Sequence, residues 1–434
     1  MDLRSWRNSK SMLNIEKLAY RSFLVWPSVL GFFLVGLWLV WQETPPNRYS
    51  SVILLPPYLK GLQFSSGFED QSSEPVNQEK IPVIRGVPLK GEAVESFRAH
   101  LDCFSESGKW VYNSIPRNLP WNGAGDPYAS QCDGRHSTVA GNAVGEWANI
   151  LASQGGNWTV REELKWAWRT SDKCPLVPVD RDEFCRLVGA YGNVLVVGDS
   201  INHLVQWSLI NNLLKNISDP NVVIDSSNCR TCPSFEVCSD MAGPGKKGFK
   251  VGFVRNDRIS TISNVSSDTL NNFLEWPWLH LLKEWDIHIL LLNRGAHFET
   301  DEIFSASLHR TFSLLRSLYP DLLVLFRNTP PGHENCTSYR GPISERQVIE
   351  KGKDKFHWSE FERQNALAKK IVEEYEYIYM DVDVMLGKRP DGHINEKDCL
   401  HYCIPGPLDS VVELFYNILI LLRTRTRTTL DAKA

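Results

Sequence analysis

Along the chain, short runs of consecutive apolar residues alternate with segments whose apolar positions recur at helical spacing. The runs are Asn193–Val197, Asn221–Ile224, Lys250–Val254, Ile287–Leu292, Leu322–Phe326 and Tyr377–Met380. Several are nearly continuous Val, Ile and Leu, the pattern of strands buried on both faces. The segments between predict helices over Ile201–Lys215, Asp268–Glu284 with a break at Pro277, Ile303–Leu318, Trp358–Glu373 and Asp409–Leu422. Such alternation predicts an α/β fold: a central parallel sheet with helices on both faces.

Near the start, "FLVWPSVLGFFLVGLWLVW" from Phe23 to Trp41 carries no charge, close to the roughly 20 residues that cross hydrocarbon. Arg4, Arg7, Lys10, Lys17 and Arg21 precede it against only Asp2 and Glu16, which predicts a cytoplasmic N-terminus. The bulky "LWLVW" offers no small-residue cleavage site, so the expectation is a single-pass type II anchor. By contrast, "VVELFYNILILL" near the other end is shorter and contains Glu413, which suits a packed helix. Pro, Ser, Gly and charged residues between the anchor and Ala99 read as a stem. The expected organisation is therefore a tail over 1–21, an anchor over 22–42, a stem over 43–99, a luminal domain over 100–425 and a flexible tail over 426–434. Within that domain, 100–190 is a Cys- and Trp-rich part and 191–425 the core.

A net charge of −4 over 434 residues, with no basic block interleaved with aromatics, predicts no nucleic-acid partner. All 10 Cys lie between Cys103 and Cys403, as expected of disulfides in an oxidising compartment. Sequons at Asn157, Asn216, Asn264 and Asn335 fall in the same stretch and predict glycosylation there. Cys229, Cys232 and Cys238 lack a second CxxC or a His pair, so disulfides are expected in place of zinc, and no metal or bound cofactor is expected.

The chemistry concentrates at strand ends. In "VLVVGDSINHLV" an apolar run stops at Gly198-Asp199-Ser200 and resumes as a helix. Ser200 then sits at a strand-to-helix turn beside N–H groups that favour negative charge; a simple helix cap is the plainer use of such a turn. Two later runs deliver Asn293-Arg-Gly-Ala-His-Phe298 and Arg327-Asn-Thr-Pro-Pro-Gly-His333, at the edge where open α/β sheets bind ligands. Near the end, "RPDGHINEKDCLHYCIPG" places Asp398 three residues before His401, flanked by Cys399 and Cys403. A serine hydroxyl needs a base within hydrogen-bond reach, and an imidazole serves when a carboxylate fixes its tautomer. Asp391 and His393 form a second pair of the same kind, less favoured because no cysteines flank it. His203, one turn after Ser200, suits packing or substrate contact.

The ordered pair of blocks resembles the trichome-birefringence-like plant polysaccharide O-acetyltransferases, within the PC-esterase group of SGNH-type enzymes. The resemblance runs from about Cys103 to Leu422, through "CFSESGKWVY", "LKWAWRTSDKCPL", "VLVVGDS" and "RPDGHINEKDCLHYCIPG". It implies an SGNH-like three-layer α/β/α sandwich and a Ser200, His401, Asp398 triad. It further implies transfer of acetyl to a glycan hydroxyl through an acyl-serine. Gly198, Asp199, Asn293 and Arg327 are then candidates for oxyanion or substrate contacts, with the Ser200 N–H and the Asn293 side chain meeting the oxyanion. The resemblance also implies a Golgi membrane protein with a luminal catalytic domain. Its co-substrate would be acetyl-CoA or another acetyl carrier, which a membrane protein could supply. The chain departs from the plant pattern at Asn202-His203-Leu204 after the serine, at "NRGAHF" and at "RNTPPGHENC"; these changes bear on the glycan accepted. Trp110, Trp166 and Trp168 fit either a groove wall or the core. An esterase with the same triad and an inactive glycan-binding protein remain alternatives.

Overall fold

The computed structural model describes residues 82–113, 162–214, 234–242, 247–263, 273–350 and 356–431, all within one compact unit, Gln78–Ala434. The predicted anchor and three sequons, at Asn157, Asn216 and Asn264, lie outside these residues, as does the run Asn221–Ile224. No helix among the described residues is long and apolar enough to cross a membrane.

Six strands form the central sheet: β1 (Asn193–Gly198), β2 (Ser234–Val237), β3 (Phe249–Arg255), β4 (Ile287–Leu292), β5 (Leu323–Arg327) and β6 (Ile378–Met380). Their order is β6-β5-β4-β1-β3-β2, parallel throughout except for β2, which pairs antiparallel at the edge. The helices are α1 (Glu92–Glu106), α2 (Arg181–Tyr191), α3 (Ser200–Leu213), α4 (Leu279–Glu284), α5 (Asp301–Leu318), α6 (Phe361–Glu374), α7 (Asp383–Leu386) and α8 (Leu408–Asp431).

The continuous apolar runs are explained by alternation between two cores. Val194 and Val196 of β1 and Ile289 and Leu291 of β4 join a core with α1, α2, α3 and α8. Leu195, Val197, Leu290 and Leu292 join the opposite core with α4, α5 and α6. Both faces are covered, so positions 194–197 of β1 and 289–292 of β4 are all apolar, and the polar Asn193 and His288 stand near the strands' amino ends. Helix α3 lies between the sheet and α8, and even its polar Asn202, Gln206, Ser208, Asn211 and Asn212 are buried. Ser208 donates to Asp409 of α8 at 2.5 Å, which satisfies one of them.

Three expectations are corrected. The segment 268–284 is not one helix: Phe273–Glu275 is a strand paired antiparallel with Thr261–Ser263, and only Leu279–Glu284 is helical. Pro277 cannot donate to a preceding turn and pushes its neighbour toward extended backbone. The folded unit begins before residue 100, with a hairpin of Val83–Ile84 and Leu89–Lys90 followed by α1. Leu89, Val94 and Phe97 are buried, so this part of the expected stem belongs to the core. Finally, α8 runs past residue 425 to Asp431, where Arg425 donates to the Ser96 hydroxyl at 2.8 Å.

The chain leaves β1 toward β3 on one side, then crosses to β4 on the other. The carboxyl ends of β1 and β4 thus form the switch point where ligands of open α/β sheets bind. Truncating Leu291 (Leu291→Ala) should cost about 2–5 kcal/mol of unfolding free energy, measured by denaturant titration; a loss under about 1 kcal/mol would contradict its burial in a two-sided sheet.

Candidate active site

Gly198 ends β1 and Asp199 caps α3, its carboxylate accepting from the Ile201 and Asn202 N–H groups at 2.9 and 3.0 Å. A side chain at residue 198 would meet the Asn202 amide nitrogen at 2.7 Å, so glycine permits the close turn. These contacts put Ser200 at the first position of α3, half-buried, with its own N–H at the helix start.

Across from it, His393–Asn395 and Asp398–Tyr402 (β7 and β8) form a short antiparallel hairpin. The Asp398 carboxylate folds back on its own turn, accepting the Leu400 and His401 N–H groups at 3.3 and 3.0 Å. The His401 ring Nδ1 lies 2.8 Å from Asp398 Oδ2. A carboxylate there accepts the Nδ1 proton, leaving the Nε2 lone pair for Ser200 Oγ, 2.6 Å away. Burial opposes the Asp398 charge, yet the hydrogen bonds from the His401 ring and from the His401 and Leu400 N–H groups hold its carboxyl below its ordinary range. Cys399 is bonded to Cys336, and Cys403 is also in a disulfide, so both flanking cysteines tie the hairpin down. Cys238 is bonded to Cys185 and so is no zinc ligand.

Arg327 and Asn293 are brought to the same sheet edge, but both point inward. Arg327 is fully buried; its Nε donates to Asn202 Oδ1 at 2.7 Å, its Nη1 to the Asn328 carbonyl at 2.7 Å, and its Nη2 stands 3.5 Å from Asp199. Burial pushes its guanidinium down to about 10 against the pull of the Asp199 carboxylate. The Asn293 amide donates to the Arg327 carbonyl at 3.0 Å and the Thr329 hydroxyl at 2.9 Å. Both hydrogens are thereby used, which leaves none for an oxyanion. Asn293 and Arg327 build the floor beneath Ser200 and do not reach for substrate.

Asn202 is likewise a structural residue: it donates to the Val197 carbonyl at 2.9 Å as well as accepting from Arg327. The departure from the plant pattern at this position therefore affects the floor and not an acceptor contact. The sequence signal that could have shown this is helical spacing, since residue 202 faces back along β1 when Asp199 caps. His203 stacks on Phe253, ring centroids 4.5 Å apart, and accepts from the Trp207 indole at 3.1 Å. Burial and then Arg255 lower it to about 4, a packed neutral ring. Asp391 is buried and bound in two contacts to Arg389, and His393 is fully buried, so the second pair does not face Ser200. Trp168 is core, and Trp110 packs under the Arg389 guanidinium at 4.2 Å. Asn335 is exposed in a left-handed turn.

A hydroxyl, an imidazole and a carboxylate thus stand in hydrogen-bonded sequence at the switch point of a mostly parallel sheet in an α/β fold. Residues 292–418 match the PC-Esterase family, described as a GDSL/SGNH-like acyl-esterase family found in Pmr5 and Cas1p. The matched segment holds Asp398 and His401; Ser200 lies before it and is joined to them by the fold. The chain is also similar to xyloglucan O-acetyltransferase 2 of Arabidopsis thaliana, 28% identical over 122 residues, which is 24% of this chain and 30% of that relative. Both matches support the resemblance to the trichome-birefringence-like PC-esterase group. Looser likenesses exist to a GDSL-like protein of Parabacteroides merdae (14% identity, 54% of this chain and 96% of that one, TM-score 0.28). A structure titled as a peptidoglycan O-acetylesterase in action shows 9% identity, 57% and 95% coverage and a TM-score of 0.32. Neither likeness carries weight at such TM-scores.

Because the Asp398 carboxyl is depressed in the folded protein, its contribution to stability is present above its unfolded pKa and lost as pH falls through the folded value. Melting curves of the unmutated protein and Asp398→Asn should differ at pH 7, and the difference should shrink as pH falls below the ordinary aspartate range. A difference independent of pH would contradict the assigned hydrogen bonds.

Proposed function

We propose that the protein is an O-acetyltransferase that moves acetyl to a hydroxyl of a polysaccharide or other glycan through an acetyl-Ser200 intermediate. The observation that carries this reading is the 2.6 Å contact between Ser200 Oγ and His401 Nε2, with His401 oriented by Asp398. The PC-Esterase match and the xyloglucan O-acetyltransferase relative support acetyl-ester chemistry on a glycan.

In this reading His401 takes the Ser200 proton as Oγ attacks the acetyl carbonyl. The Ser200 N–H at the start of α3 meets the developing oxyanion. His401 then protonates the departing donor group, and acetyl remains on Ser200. A sugar hydroxyl next gives its proton to His401 and attacks the acetyl carbon, so Oγ leaves and regains the proton from His401. Asp398 stabilises the imidazolium in both halves. The donor is acetyl-CoA or another acetyl carrier, delivered by a membrane protein, and no cofactor is retained. The Phe23–Trp41 segment and its basic flank support a type II Golgi membrane location with the folded unit luminal and its sequons glycosylated.

Glycan O-acetyl esterase is the second reading, since water can replace the sugar in the same geometry. Water stands at tens of molar, so transfer requires an acceptor held in near-attack geometry, where effective molarities of roughly 10⁵ M and above are reached. The discriminating experiment measures free acetate and acetylated glycan together as oligosaccharide acceptors are raised against an acetyl donor. Acceptor should divert acetyl from water to sugar, and Ser200→Ala should lower both products at least ~10³-fold. Acetate release that ignores every acceptor would establish the esterase; near-full activity in Ser200→Ala would reject both.

A further inference from the structure

Two histidines outside the triad, His333 in the loop after β5 and His393 at the start of β7, meet behind His401. His333 Nδ1 and His393 Nε2 lie 2.7 Å apart. The outer nitrogen of His333, Nε2, is 2.8 Å from the Gly387 carbonyl. The outer nitrogen of His393, Nδ1, is 3.1 Å from the carbonyl of His401 itself. Both rings are buried, at 1% and 0% exposure.

The hydrogens can be counted. A carbonyl oxygen only accepts, so both outer nitrogens must carry hydrogen. A neutral imidazole has one hydrogen, and both would then be spent outward. Two lone pairs would face each other across 2.7 Å. A third hydrogen between the rings resolves this and leaves the pair with one positive charge and a short, charge-assisted hydrogen bond.

We propose that His333 and His393 form a buried pair sharing one extra proton, and that this pair is a positioning device fixing the main chain of the His401 base. Burial is the main influence lowering His333 to about 4, with Arg346 and Arg389 acting the same way and the Gly387 carbonyl and Asp391 opposing. Nearby, Arg389 pairs with Asp391, and Arg346 with Asp383 at 3.0 Å. The Tyr402 ring stacks on His393 at 4.3 Å and sends its own hydroxyl to the Leu386 carbonyl. The same loop grips the hairpin twice more, through the His333 N–H to the Cys399 carbonyl at 2.9 Å and the Cys336–Cys399 disulfide. The whole arrangement ends on the carbonyl of the residue whose ring must stay aimed at Ser200.

The positioning role rests on the reading of His401 as the base; the proton count does not. Nitrogen NMR of the ¹⁵N-histidine-labelled protein at neutral pH should show three protonated ring nitrogens across His333 and His393, both outer nitrogens among them. Only two protonated nitrogens across the pair would overturn the shared proton, with no variant required to fold. Acylation of Ser200 by p-nitrophenyl acetate then tests positioning. An Asn amide places an N–H where Nδ1 stands, whereas Gln places one near Nε2. His393→Gln should acylate about ten- to a hundredfold more slowly with KM unchanged, and His393→Asn should recover to within about threefold. Equal rates in the unmutated protein and a folded His393→Gln would overturn positioning. Failure of the unmutated protein to acylate would instead sink the proposed function and leave the proton count standing.

Discussion

Beneath Ser200 a carboxylate and a guanidinium, both with no exposed surface, stand 3.5 Å apart. Removing either partner of such a pair leaves an uncompensated buried charge, at about 3–5 kcal/mol. Asp199 therefore cannot turn outward, and while it caps α3 the hydroxyl of the next residue is committed to the sheet edge. Arg327 extends the constraint sideways by holding Asn202, and the Arg327 carbonyl holds Asn293. Strands β1, β4 and β5 are thus locked together at the level where chemistry would occur. Only the other half of the site, His401 and Asp398, has to be delivered from elsewhere in the chain.

That delivery uses a different kind of restraint. The hairpin is short and partly exposed, and cannot be fixed by a core of its own. Its carboxylate is instead satisfied by its own turn, its cysteines are bonded, and its main chain is tied to the loop after β5. One rigid, buried half and one stapled half thus hold the His401 ring 2.6 Å from the Ser200 hydroxyl while both stay partly exposed.

Much of this was legible in the sequence, for definite reasons. Strands buried on both faces must be continuously apolar, so β1, β3, β4, β5 and β6 stood out. The edge strand Ser234–Val237 did not, because "SFEV" mixes polar and apolar residues as an edge may. The apolar spacing of 268–284 fitted a helix, and only pairing with Thr261–Ser263 shows that its middle is extended. Ser200, Asp398 and His401 were singled out by residue type and order, and the fold brings the three within hydrogen-bond reach. Asn293 was placed at the correct edge yet with the wrong task, since which way an amide points depends on partners such as Thr329 that sequence distance hides. The segment before residue 100 looked like a stem because its Pro, Gly and charge mask the few buried residues that anchor it.

The central claim is that Ser200 is a nucleophile activated by His401. A fluorophosphonate reacts covalently with such a serine, and peptide mass spectrometry locates the adduct. The account predicts labelling at Ser200 alone, slowed by at least ~10²-fold in His401→Ala. An unlabelled Ser200, or a labelling rate indifferent to the loss of His401, would contradict it.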